Sequence, residues 1–110
     1  MDVKALKKKY SDGSAQEKVK ELEKEMQEGV ANGGKDLSFL SSELAYYSDL
    51  AYKVSQIQKA IEDLESTRDL VDNEQDLELK EMALEEIVNL EERIGVLDKE
   101  IHDLQVSRMF

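Results

Sequence analysis

The residues able to do chemistry in this chain are few, and each group lacks a companion. Gly33-Gly34-Lys35 has the composition of a phosphate loop. Such a loop also needs spaced glycines, a Ser or Thr after the lysine, and a preceding strand, and none of these is present. The pairs Glu85-Glu86 and Glu91-Glu92 offer carboxylate oxygens. They lie on a helical stretch with no oxygen-rich loop nearby, so the expectation is a solvated face rather than a cation site. His102 is the single histidine and there is no cysteine, which excludes disulfides, thiolate metal sites and any centre needing two imidazoles.

Two further groups could bind rather than react. Tyr46, Tyr47 and Tyr52 form an aromatic set, but Tyr47 falls on an apolar seam and Tyr52 near a second stripe, so packing is their expected role. Lys7-Lys8-Lys9 with Tyr10 is the one basic patch, read as a frayed, solvated start in preference to an RNA or anionic-surface contact. No nucleophile and base are spaced as a pair. The sequence points to no enzyme, no catalytic residue, no cofactor and no metal.

These groups must be held by helices. Charged residues make up 37% of the 110 and aromatics 5%, with no Pro and no Trp, a profile of long amphipathic helices. Without Pro, the commonest breaker is missing. Leu40, Tyr47, Leu50, Val54, Ile57, Ile61, Leu64 and Val71 are separated by threes, fours and sevens. Ala83, Ile87, Leu90, Ile94, Leu97, Ile101 and Leu104 repeat the pattern. One apolar seam along each of two helices, joined by the polar Asp72–Asp76 segment, predicts an antiparallel hairpin.

Upstream, Ser14-Ala15-Gln16-Glu17 has capping-box form and starts a shorter helix with Val19, Leu22 and Met26 on one face. Asp36 or Ser38 is the expected cap of the first long helix, and Asp72 with Gln75 a second capping box. The expected helices cover about 15–29, 37–71 and 76–106, after a flexible or weakly helical 1–14. The fold class is all-α, a three-helix bundle in which the short helix packs on the hairpin, with residues 15–110 as one domain. A second stripe holds Leu44, Ser48, Ala51 and Ser55 on the first long helix and Leu84, Val88 and Gly95 on the other, and a turn centred near Glu74 brings Gly95 level with residue 53, beside Ala51 and Ser55. A mid-helix glycine costs ~1 kcal/mol against alanine, so a close approach by the short helix or Tyr52 is expected at Gly95.

Charge narrows the partners. Net charge is −11, distributed as +1 over residues 1–35, −5 over 36–72 and −7 over 73–110. An acidic hairpin disfavours contact with nucleic-acid phosphates. No run approaches the ~18 apolar residues of a membrane span, and Met1 to Tyr10 lacks the apolar core of a secretory signal. The expectation is a cytoplasmic protein, or one of an organelle stroma or matrix, with no membrane partner.

Leu40-Ser41-Ser42-Glu43-Leu44-Ala45 and Ser48-Asp49-Leu50 resemble the start of the long hairpin in the N-terminal domain of bacterial-type class I peptide chain release factors. Ile57 to Leu64 and Met82-Ala83-Leu84-Glu85-Glu86 look like its two arms. Leu104 to Phe110, ending Arg108-Met109-Phe110, is similar to the close of this domain in type-two factors. The likeness covers roughly residues 17–110.

The resemblance implies a role in translation termination, with this domain reaching toward the stalk base of the large ribosomal subunit and touching accessory factors. Stop-codon reading and peptidyl-tRNA hydrolysis reside elsewhere in such proteins. This chain contains no Gly-Gly-Gln, and the codon-reading tripeptides require a Pro that it lacks. Gly29 to Lys35 stands where type-two factors commonly have Asp-Val-Trp. The alternatives are an organellar relative repurposed for RNA or ribosome binding, and an unrelated coiled-coil scaffold.

Overall fold

The computed structural model describes residues 1–32 and 37–109, with residues 30–32 described by their backbone alone. The glycine-rich Gly33-Gly34-Lys35 segment, the Asp36 cap and Phe110 lie outside the described residues. Four helices follow in order: α1 (Val3–Lys9), α2 (Ser14–Asn32), α3 (Leu37–Asn73) and α4 (Leu77–Ser107). There is no strand among the described residues.

Helices α3 and α4 are the predicted hairpin, 37 and 31 residues long, or ~55 and ~46 Å at 1.5 Å per residue. Their seam is dry. Ile57, Leu64, Ile94 and Ile101 are almost wholly buried, joined by Leu50, Val54, Ile61, Leu90 and Leu97. These are the heptad positions read from the sequence, and their burial drives the arms together. The helices α2 and α1 pack on α3, making a bundle of 65 × 28 × 20 Å with the hairpin tip projecting. The all-α fold of two long packed helices and a shorter N-terminal one is as the pattern predicts, with α1 added.

The helix ends differ in detail from the expected caps. Ser14 does not close a box with Glu17. The Glu17 N–H instead donates to the Gly13 carbonyl, and the Asp12 carboxylate accepts from the Ser14 N–H and hydroxyl. Likewise Asp72 sits inside α3, and Asp76 caps α4, accepting from the N–H of Glu78 at 2.9 Å and Leu79 at 3.4 Å. Glu74 accepts from the Gln75 and Asp76 N–H groups, so the connection is held by side-chain carboxylates. A carboxylate at a helix start meets both unpaired N–H groups and the positive end of the dipole, which is why Asp wins at both places. Ser38 is the second residue of α3 rather than its cap.

The second stripe is only half occupied. Ser48 and Ala51 border Val19 and Lys20 of α2. On α4, however, Leu84, Val88 and Gly95 face solvent, and no described residue lies within 4 Å of a Cβ placed on Gly95. Neither α2 nor Tyr52, which is 62% exposed, approaches Gly95. Among the described residues the expected close contact there does not form, because α2 lies along α3 and away from Gly95.

Candidate functional site

Among the described residues the candidate groups stand apart from one another. His102, Glu85, Glu86 and Glu92 are exposed, and Glu91 is engaged with Arg68 across the arms at 3.0 Å. Among the described residues no three metal-binding side chains converge. What the helices do build is a set of polar junctions on a rigid arm, and these fix which surfaces remain free.

The first junction is at Tyr10. Val3, Leu6 and Tyr10 recur at helical spacing, so α1 lays one apolar side on the core, and Tyr10 is 5% exposed. Its hydroxyl donates to Asp98 of α4, and its carbonyl accepts from the Gln58 side chain of α3. Lys9 reaches the same Asp98 oxygen at 3.0 Å, and Lys7 pairs with Glu65 of α3 at 3.1 Å. The start of the chain is therefore docked across both arms, not frayed, although the lysine tips remain in water. A shallow cavity of about 310 Å³ lies beside it, lined by Lys7, Tyr10, Ser11, Gln58, Ile61 and Glu62, with no nucleophile and base converging in it.

Electrostatics follow from this packing. Burial pushes the Tyr10 phenol well above its ordinary value, and the hydrogen bond to anionic Asp98 adds to the rise. For Asp98, partial burial works upward, but the bonds from Tyr10 and Lys9, with the charges of Lys9 and His102, together hold the carboxyl below its ordinary range.

The second junction ties the end of α4 to the start of α3. The Arg108 guanidinium donates to Glu43 at 2.6 Å and stacks over the Tyr46 ring, 4.1 Å from its centroid. Tyr46 and Tyr47 meet edge to face at 4.9 Å, and Lys18 of α2 lies over Tyr47. The Glu43 bond raises the Arg108 pKa further. Burial raises Tyr46 while Arg108 opposes it. Tyr46 and Tyr47 pack as expected, whereas Tyr52 stays exposed, its hydroxyl accepting from the Gln56 side chain and its carbonyl from the Ser55 hydroxyl.

Reasoning from sequence missed Tyr10, Gln58 and Asp98 as a unit. The available signal was the 3, 6, 10 spacing of Val3, Leu6 and Tyr10, which marks a buried face on even a two-turn helix. Nothing local to Asp98 distinguishes it from its neighbouring carboxylates.

Exposed apolar side chains recur along the outside of α4. Leu77, Leu79, Met82, Leu84 and Val88 toward the tip are 48–77% exposed among carboxylates. No helix of the described residues is long and apolar enough to cross a membrane.

Comparison with known proteins finds relatives by sequence. The PCRF domain model matches residues 15–108, which contain α2, α3 and α4 and leave out α1. Peptide chain release factor 1 from each of two strains of Bacteroides fragilis is 34% identical over 67 residues, 61% of this chain and 18% of the relative. The chain thus spans less than a fifth of the length of these curated relatives. They bear the type-one name, while the type-two likeness rests on the segment ending Arg108-Met109-Phe110. No solved structure matches the chain significantly. With the family's model laid over nearly all of the hairpin and its supporting helix, the chain belongs to the PCRF domain family of peptide chain release factors.

Proposed function

We propose that this chain is the N-terminal helical domain of a peptide chain release factor or close relative, acting in translation termination as an arm that docks on the ribosome. The observation that carries this is the family match over α2, α3 and α4 together. The physical form supports it, since a rod some 65 Å long with cross-braced arms is suited to reach and to hold an angle. Its work is binding, with no chemical step, because the chain lacks Gly-Gly-Gln and any Pro-containing codon-reading tripeptide. The stalk base of the large subunit and accessory termination factors are the partners this reading implies, in the cytoplasm or an organelle. The acidic hairpin favours protein surfaces there over rRNA phosphates.

The test is co-sedimentation of the purified chain with ribosomes, paired with a peptide-release assay on stalled complexes. Expected is pelleting with ribosomes and no release by the chain alone. Absence of pelleting at low salt, or release of peptide by this chain, would overturn the reading. Ribosome binding by the full reading-frame product without stop-codon-dependent release would move the assignment to the repurposed relative.

A further inference from the structure

We propose that the outer stripe of α4, Leu77, Leu84, Val88 and Gly95, is a docking surface for a lysine- or arginine-rich amphipathic helix of a partner protein. The inference rests on the docking-arm reading and names the chemistry of what the arm meets. Spacings of seven, four and seven place these residues on one face of α4. Leu77 is 77%, Leu84 48% and Val88 54% exposed, and among the described residues neither α1 nor α2 packs against α4 as it does against α3.

Gly95 is the second observation. A glycine in a helix interior weakens it relative to alanine, and close backbone packing is the usual return for that cost. Here no described residue lies within 4 Å of the missing side chain, so no contact among the described residues accounts for it. The stripe therefore ends in an open notch where another backbone can approach.

Charge selects the occupant. Glu81, Glu85 and Glu92 lie along the solvent side of the stripe, on a segment where carboxylates outnumber cations. A second copy would set these carboxylates against their equivalents on a chain of net charge −11, and RNA would bring phosphates to them. A cationic helix meets them with the opposite sign. The chain already displays this solution in α1, whose half-buried Val3 and Leu6 pack against the core while Lys7 and Lys9 pair with Glu65 and Asp98 on the two arms. The stripe offers the same combination, apolar floor and acidic rim, and no helix of the described residues covers it.

The experiment uses a fluorescently labelled synthetic helix with leucine along one face and lysine on both flanks, titrated by anisotropy against the whole chain. A peptide of the same composition with scrambled order is the control, and amide chemical shifts locate the contact. Binding is expected on Leu77, Leu84, Val88 and Gly95, weakened about tenfold by Leu84→Glu with Val88→Glu. Leu79→Glu with Met82→Glu adds the same charge to the opposite flank of α4 and should leave affinity unchanged, as should every variant's thermal melt. Equal affinity for the scrambled peptide, equal effects of the two double variants, no binding, or displacement of the peptide by an rRNA oligonucleotide would each overturn the proposal. Ribosome sedimentation of the same variants separates the two readings. Ribosome binding that survives Leu84→Glu with Val88→Glu sinks the stripe alone, whereas specific peptide binding without ribosome binding sinks only the docking-arm reading.

Discussion

Tyr10 is where one side chain does most for the chain's integrity. It belongs to one core cluster with Ala15, Leu50, Val54 and Ile101, and its hydroxyl and carbonyl reach both arms of the hairpin. Tyr10→Phe removes only the hydroxyl, and a charge-assisted bond of this kind is worth about 1.5–3 kcal/mol, less here because Asp98 is partly solvated. Tyr10→Ala also opens a cavity, and truncation of a buried aromatic costs about 3–5 kcal/mol. The pH dependence separates these contributions. The Asp98 carboxyl is held below its ordinary 3.8, so its stabilisation is present above that value and lost as pH falls toward the depressed one. The Tyr10 phenol is raised above its ordinary 10.0, so its stabilisation is present below that value and lost as pH rises beyond it. Melting temperatures of wild type and Tyr10→Phe, followed from acid to alkali, should differ by a plateau that shrinks at both ends. A difference independent of pH would remove the bond from the account.

At the scale of the helix, Gly95 and the seam predict changes of opposite sign. Gly95→Ala adds a methyl group to open space and restores helix propensity, so it should stabilise the chain by ~1 kcal/mol, read as a higher melting temperature. Leu64→Ala or Ile94→Ala, at positions with no exposure, should cost about 2–5 kcal/mol. A destabilising Gly95→Ala would mean that α2 or another segment comes close after all. The same residues mark what the sequence made legible. Ile57, Leu64, Ile94 and Ile101 could be placed because burial on a long helix repeats every three or four residues, and repetition makes the pattern redundant. The caps could not be chosen with the same assurance, because Asp72 and Asp76 both satisfy the local chemistry and only the reach of α3 to Asn73 decides between them. Gly95 failed for a related reason. The stripe containing it is real, but which helix covers which half depends on where α2 settles, and that is a tertiary choice. Of the functional surface, the acidity was legible and the docking of α1 was not, since three short-spaced apolar residues differ little from chance.

For the whole molecule, the question is whether the hairpin can stand without the helices that precede it. The core is long and thin, with a radius of gyration of 18.9 Å against the ~13 Å of a compact chain of about this length. Few residues in such a shape are shielded on every side, and Leu50 and Val54 share one core cluster with Tyr10 and Ala15 as well as with Leu97 and Ile101 of α4. A fragment of residues 37–110 loses Tyr10, Ala15 and Leu22 from the core. Burial of large apolar side chains contributes ~1.5–3 kcal/mol each, so the loss approaches the ~5 kcal/mol that separates a small domain from unfolding. The uncovered side of α3 then has one apolar partner readily available, the same side of another copy, with like charges opposing the encounter. The fragment should therefore melt far below the full chain, with helicity that rises with concentration and with added salt. The full chain should melt independently of both. Circular dichroism across a wide dilution series reads this directly. A fragment that melts cooperatively at the full chain's temperature, at every concentration, would show that the hairpin supports itself and that α1 and α2 merely ride on it.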